Sequence, residues 1–89
     1  DLKDPLTYKP FYNYALLLQG QGDITRSIEV IDRGLKSFTN NEQLLYVRLS
    51  TALHMKKYTE ARTTLDLLLK IAPDNTNYQQ IALQLHSPR

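Results

Sequence analysis

Hydrophobic residues recur every three or four positions along most of this chain. One segment carries the pattern at Ile24, Ile28, Ile31, Leu35 and Phe38. A later segment carries it at Tyr58, Ala61, Leu65, Leu68 and Ala72. Intervals of three and four residues place these side chains on one face of a helix with about 3.6 residues per turn. No alternating run is long enough to predict a strand, so the pattern predicts an all-α fold.

The hydrophobic pattern predicts five helices, near residues 11–19, 23–38, 42–55, 59–72 and 76–86. The breaks between them carry residues that stop or start helices. Gly20–Asp23 interrupts the first pair, and Asn40 with Gln43 is predicted to form a capping box before the third helix. Pro73 ends the fourth helix because proline cannot continue one, and Ser87-Pro88 ends the fifth. Residues 1–10, with two prolines and four charges, are predicted to be a lead-in or linker.

The chain matches itself when it is shifted by 34 residues. The aligned pairs are Ile24 with Tyr58, Ser27 with Ala61, Ile31 with Leu65, Phe11 with Leu45, and Tyr12 with Tyr46. The small residues at 27 and 61 predict close helix contacts, and the large ones at 24, 31, 58 and 65 should fill the space between layers. A period of this length with two helices per unit is typical of helical solenoids.

The segment Tyr58–Pro73, written Y-x-x-A-x-x-x-L-x-x-L-L-x-x-x-P, resembles the tetratricopeptide repeat family, and Asp23–Leu35 is a weaker copy. The resemblance implies a right-handed superhelix with a first repeat at 8–41, a second at 42–75, and a partial repeat or capping helix at 76–89. Arg48 stands where the family usually has an aliphatic residue, and Leu49 where it usually has a small one. These departures leave the register of the third helix open.

Composition limits the classes of function. Eighty-nine residues make one small domain, and 42% hydrophobic with 22% charged residues is ordinary globular usage. The absence of cysteine excludes disulfides and thiolate metal sites, and it suits cytoplasm and periplasm equally. A net charge of +2 does not favour nucleic acid, and no apolar run approaches the roughly 20 residues of a membrane helix. Because the chain begins with Asp1, we expect a processed protein or part of a longer one.

No motif in the sequence predicts catalysis, a cofactor or a metal site. The two histidines, His54 and His86, fall near helix ends and lack a paired carboxylate motif. Gly20–Asp23 follows a helix rather than a strand, and it lacks the third glycine and the lysine of a phosphate-binding loop. We therefore expect a non-enzymatic protein that acts through its surface.

The family resemblance implies that the first helix of each repeat lines a concave groove for a peptide or a partner helix. The positions that correspond are Lys9, Tyr12, Leu16, Gln19, Gln43, Tyr46, Ser50, Leu53, His54, Asn77, Gln80 and Gln84. Tyr12 and Tyr46 should stack as a ladder that binds a partner, or they cap the core from its edge. The clamp that binds acidic chaperone tails is not expected, because only Lys9 is basic at the clamp positions. An uncharged or mixed peptide fits better.

Two functions therefore stay open for this surface. The first is a protein-binding adaptor or scaffold, and the second is a structural segment of a longer solenoid or a self-associating unit. A helical-repeat RNA binder would need a basic groove, which this sequence lacks. If the fifth helix is a cap, the outer face should be polar, as Gln79, Gln80 and Gln84 suggest. If it is a junction, Ile81, Leu83 and Leu85 should form an apolar strip.

Overall fold

Five α-helices make up the fold in a computed structural model, which describes residues 7–86. They are α1 (Lys9–Gly20), α2 (Ile24–Ser37), α3 (Glu42–His54), α4 (Tyr58–Ile71) and α5 (Thr76–His86). No strand occurs within residues 7–86, so the all-α prediction is confirmed. Every predicted helix boundary lies within two residues of the observed one.

Two predicted boundaries need small corrections. Helix α1 begins at Lys9, so the lead-in ends earlier than predicted; Pro10 fits in the first turn, where its missing N–H is not needed. Helix α3 is capped by Asn41 rather than Asn40, since Asn41 Oδ1 accepts a hydrogen bond from the backbone N–H of Leu44 at 2.9 Å. Residues 1–6 of the predicted lead-in and the predicted stop at 87–88 lie outside the described residues.

The hydrophobic core consists of two clusters, and α3 contributes to both. The first cluster combines α1, α2 and one face of α3: Ala15, Leu18, Val30, Ile31, Leu44 and Val47. The second combines another face of α3 with α4 and α5: Leu45, Leu49, Ala52, Ala61, Leu65, Leu68 and Tyr78. Leu35 packs against both clusters. The molecule is elongated and measures 45 × 27 × 17 Å.

Close packing within the α1–α2 and α3–α4 pairs depends on small residues. Ser27 and Ala61 are fully buried at equivalent places, as the sequence predicted. A side-chain carbon added to Gly34 would lie 2.9 Å from Cβ of Phe11 and 3.1 Å from Cδ1 of Leu44, so only glycine fits there. Leu65 is also fully buried, which confirms its predicted place in the core.

The large residues at 24 and 58 do not fill the space between layers as predicted. Tyr58 is 46% exposed and Ile24 is half-buried, because each is the first residue of its helix and lies at the end of a helix pair. Arg48 is half-buried; its Nη1 donates to Oδ1 of Asp32 in α2, and its Nη2 lies 3.9 Å from Oε1 of Glu60 in α4. An ion pair therefore takes the place of an aliphatic contact.

The turn inside each helix pair has the same backbone geometry. Gly22 and Lys56, which are 34 positions apart, both adopt left-handed angles, with φ of 86° and 60°. The N–H of Gly22 donates to the carbonyl of Gln19 at 3.0 Å, and the N–H of Lys56 donates to that of Leu53 at 3.1 Å. Each turn thus reverses the chain in the same way, so α2 and α4 start at equivalent positions.

Candidate functional site

An open cleft of about 340 Å³ is lined by residues of α1, by the N-terminal part of α3, and by the start of α5 with the residue that caps it. Its lining residues are Tyr12, Glu42, Gln43, Tyr46, Asn75, Asn77 and Tyr78. Four of these were predicted as groove residues from the sequence: Tyr12, Gln43, Tyr46 and Asn77. The structure therefore brings together predicted positions from three different helices.

The N-termini of α3 and α5 are capped in the same way, and these caps position the cleft residues that the two helices contribute. Asn41 caps α3, and Asn75 caps α5 by accepting a hydrogen bond from the backbone N–H of Tyr78 at 3.0 Å. An asparagine at this position satisfies one of the free N–H groups at a helix start. Because both caps have the same form, Gln43 and Asn77 occupy the same place in α3 and α5, and both are exposed.

A hydrogen bond at the bottom of the cleft joins α5 to α3. The hydroxyl of Tyr78 donates to Oε2 of Glu42 at 2.7 Å, and Tyr78 is only 4% exposed. Burial raises the pKa of the Tyr78 phenol to about 12, with further contributions from the hydrogen bond to Glu42 and from the Glu42 charge. The phenol therefore remains neutral over a wide pH range and keeps donating to the carboxylate.

The tyrosine rings pair differently from the predicted ladder of Tyr12 and Tyr46. The ring of Tyr46 lies against that of Tyr78, with centroids 6.3 Å apart and planes inclined by 35°. Tyr12 instead meets Tyr8 edge-on at 5.9 Å and packs against the first core cluster. Tyr46 is 48% exposed, whereas Tyr12 is half-buried. Tyr46 is therefore the more accessible of the two.

Two other predicted groove residues, Ser50 and His54, line a second depression of about 340 Å³ together with Gln19, Ile24 and Thr51. Gln19 has a structural role there. Its Nε2 donates to Oγ1 of Thr51 at 2.8 Å and lies 3.4 Å from Oγ of Ser27. This contact joins α1 to α2 and α3 through polar groups.

The remaining predicted groove residues line neither depression. Lys9, Leu16, Gln80 and Gln84 are exposed on the surfaces of α1 and α5. The predicted groove positions are therefore distributed over a cleft, a second depression and open helix surface.

Three lining residues of the cleft were not among the groove residues predicted from the sequence: Glu42, Asn75 and Tyr78. Tyr78 is in step with the apolar residues Ile81 and Leu85 of the fifth helix, and its side chain is only 4% exposed. One signal could have found Asn75, since it stands 34 residues after the cap residue Asn41. The link between Glu42 and Tyr78 spans 36 residues and depends on how α5 packs.

Other classes of site receive no support from the described part of the chain. Within residues 7–86, no three or more side chains of His, Asp or Glu come together as a metal site would require. None of the helices in that range is both long and apolar enough to cross a membrane. Comparisons of the chain with protein-family models, curated proteins and solved structures found no match.

Proposed function

We propose that the chain is a non-catalytic protein-interaction module of the tetratricopeptide repeat type, which binds a peptide or partner helix in the cleft between α1, α3 and α5. In this proposal, residues 8–41 and 42–75 are two repeats in a right-handed superhelix, and residues 76–89 form a partial repeat that caps it. The module would serve as an adaptor or scaffold.

The recurrence of local geometry at 34 residues supports the repeat assignment. Besides the turns at Gly22 and Lys56, the helix caps of Asn41 and Asn75 recur at that interval. Burial recurs as well, because Ala15 and Leu49 are both fully buried at equivalent positions in α1 and α3. Such recurrence is what a solenoid of equivalent helix pairs would produce.

The exposure of Tyr46 within a concave, mixed polar and aromatic cleft is the observation that carries the binding proposal. A half-exposed tyrosine offers a large apolar ring and a hydroxyl group at a low cost in side-chain entropy. Exposed amide groups of Gln43 and Asn77 stand beside it and can bond to a peptide backbone. Such a ring surrounded by polar groups is typical of interface anchors.

The proposal is tested by replacing Tyr46 with alanine, while Tyr58→Ala serves as the matched control. Tyr58 is similarly exposed, at 46%, but it starts α4 and does not line the cleft. Tyr46 is a better target than Tyr12, whose ring also packs against the core. We expect Tyr46→Ala to weaken partner binding by about 2 kcal/mol while the protein stays folded, and Tyr58→Ala to leave binding intact.

Hydrogen exchange adds a site-specific measurement to the capture experiment. A bound partner should slow exchange of the backbone amides around residues 42–46 and 75–78. If Tyr46→Ala captures the same partners as the wild type, or if protection appears only on α2 and α4, the cleft is not the binding site.

A second candidate function, a structural or self-associating segment, is favoured by one observation. Leu83 is 68% exposed, although the equivalent residues Ala15 and Leu49 are fully buried beneath α2 and α4. Its neighbours on that face, Gln79 and His86, are exposed and polar, which instead suits a capping helix. Light scattering distinguishes the two, because a capping helix leaves the chain monomeric.

A further inference from the structure

The cleft contains a single charged side chain, and that charge is negative. Of the seven lining residues, Glu42 is the only one with a carboxyl group, and none is a lysine, arginine or histidine. Within residues 7–86, no Lys, Arg or His nitrogen lies within 4.0 Å of its carboxylate. The carboxylate is half-buried and accepts one hydrogen bond, from Tyr78. The cleft thus presents a carboxylate that has no cationic partner among residues 7–86.

Three tyrosine side chains line the same cleft as this carboxylate. Tyr78 is bonded to Glu42, the ring of Tyr46 lies against that of Tyr78, and Tyr12 lines the cleft from α1. The face of an aromatic ring attracts cations, and this attraction adds to that of a neighbouring carboxylate. An anionic ligand would find a like charge here and, in the described part of the chain, no compensating cation lining the cleft.

We infer that the cleft binds a lysine or arginine side chain of the partner peptide, with Glu42 as the counter-ion and the rings of Tyr46 and Tyr12 beside the cationic group. This inference rests on the proposed function and specifies the chemistry of the partner. A cation has two kinds of attractive contact in the cleft, whereas a neutral side chain of equal length has only the apolar one. The recognised peptide is therefore basic at one position and neutral around it.

The direct test uses short glycine-flanked peptides that differ only at the central residue, which is lysine, arginine, acetyl-lysine or glutamate. Binding is followed by NMR titration of the backbone amides of Glu42, Tyr46 and Tyr78. We expect the lysine and arginine peptides to shift these resonances and to bind about tenfold more tightly than the acetyl-lysine peptide. The affinity should also fall with rising ionic strength, because charge attraction is screened by salt.

The Glu42→Gln variant isolates the charge, because a glutamine oxygen can still accept the hydrogen bond from Tyr78. The matched control is Glu29→Gln, which makes the same change in net charge at an exposed position on α2 outside the cleft. We expect Glu42→Gln to weaken binding of the lysine peptide about tenfold. Glu29→Gln should bind it as the wild type does.

Failure of this inference can be told apart from failure of the proposed function. Equal binding of the lysine and acetyl-lysine peptides, equal effects of Glu42→Gln and Glu29→Gln, or no shift at these amides would overturn the role of the cation. If partner capture nevertheless depends on Tyr46, the binding cleft stands and only its charge preference is wrong. If capture is independent of both Tyr46 and Glu42, both proposals are wrong.

Discussion

Replacing Gly22 with alanine should destabilise the protein, whereas replacing Lys56 with glycine should stabilise it. Both residues adopt left-handed backbone angles at equivalent turns, with φ of 86° and 60°. A side-chain carbon added at Gly22 would meet nothing within 4 Å. The effect of Gly22→Ala on the free energy of unfolding therefore comes from backbone conformation alone.

The size of each change follows from the cost of the left-handed region. A residue with a side chain pays roughly 1–2 kcal/mol to adopt it, while glycine loses about 0.5–1 kcal/mol more conformational entropy on folding. We expect a net loss of about 1 kcal/mol for Gly22→Ala. Lys56→Gly should raise the free energy of unfolding by about 0.5–1 kcal/mol, because the strain at Lys56 is released.

Urea unfolding measures both changes, provided that the dependence of the unfolding free energy on urea concentration is the same in all variants. The melting temperature should shift by about 4–8 °C per kcal/mol in a domain of this size. Gly20→Ala is the control. Gly20 also has free space around it, but it is helical with negative φ. Gly20→Ala should therefore stabilise the protein by about 0.4–1 kcal/mol. If Gly22→Ala and Gly20→Ala change stability in the same direction, backbone strain does not govern the turn.

Two further predictions concern the second core cluster and its hydrogen bond. Leu65→Ala should cost about 2–5 kcal/mol in unfolding experiments, because Leu65 is fully buried between α3, α4 and α5; a loss below about 1 kcal/mol would contradict this packing. The pKa of Tyr78 is raised from 10.0 to about 12, so its stabilising effect is complete below pH 10 and is lost as the pH rises from 10 to 12. Stability across this window should fall less steeply in Tyr78→Phe than in the wild type. Equal slopes in the two proteins would refute the linkage.

The candidate site was only partly predictable from the sequence. The 34-residue spacing of Tyr12 and Tyr46 identified two lining residues of the cleft, because equivalent residues of a repeat face the same side. The predicted contact between them was wrong, since spacing along the chain does not determine which rings meet. The ring of Tyr46 turns toward Tyr78, and that of Tyr12 toward Tyr8.

The sequence by itself determined the five helices, their turns and most of the core. These features depend on local signals: apolar spacing at three and four residues, glycine at a left-handed turn, and asparagine or proline at helix ends. Tertiary packing decided that Tyr58 is exposed, that Arg48 pairs with Asp32, and that Glu42 accepts a hydrogen bond from Tyr78. These features depend on how one helix packs against another. The paired residues are 16 and 36 positions apart, so no local sequence signal predicts their contact.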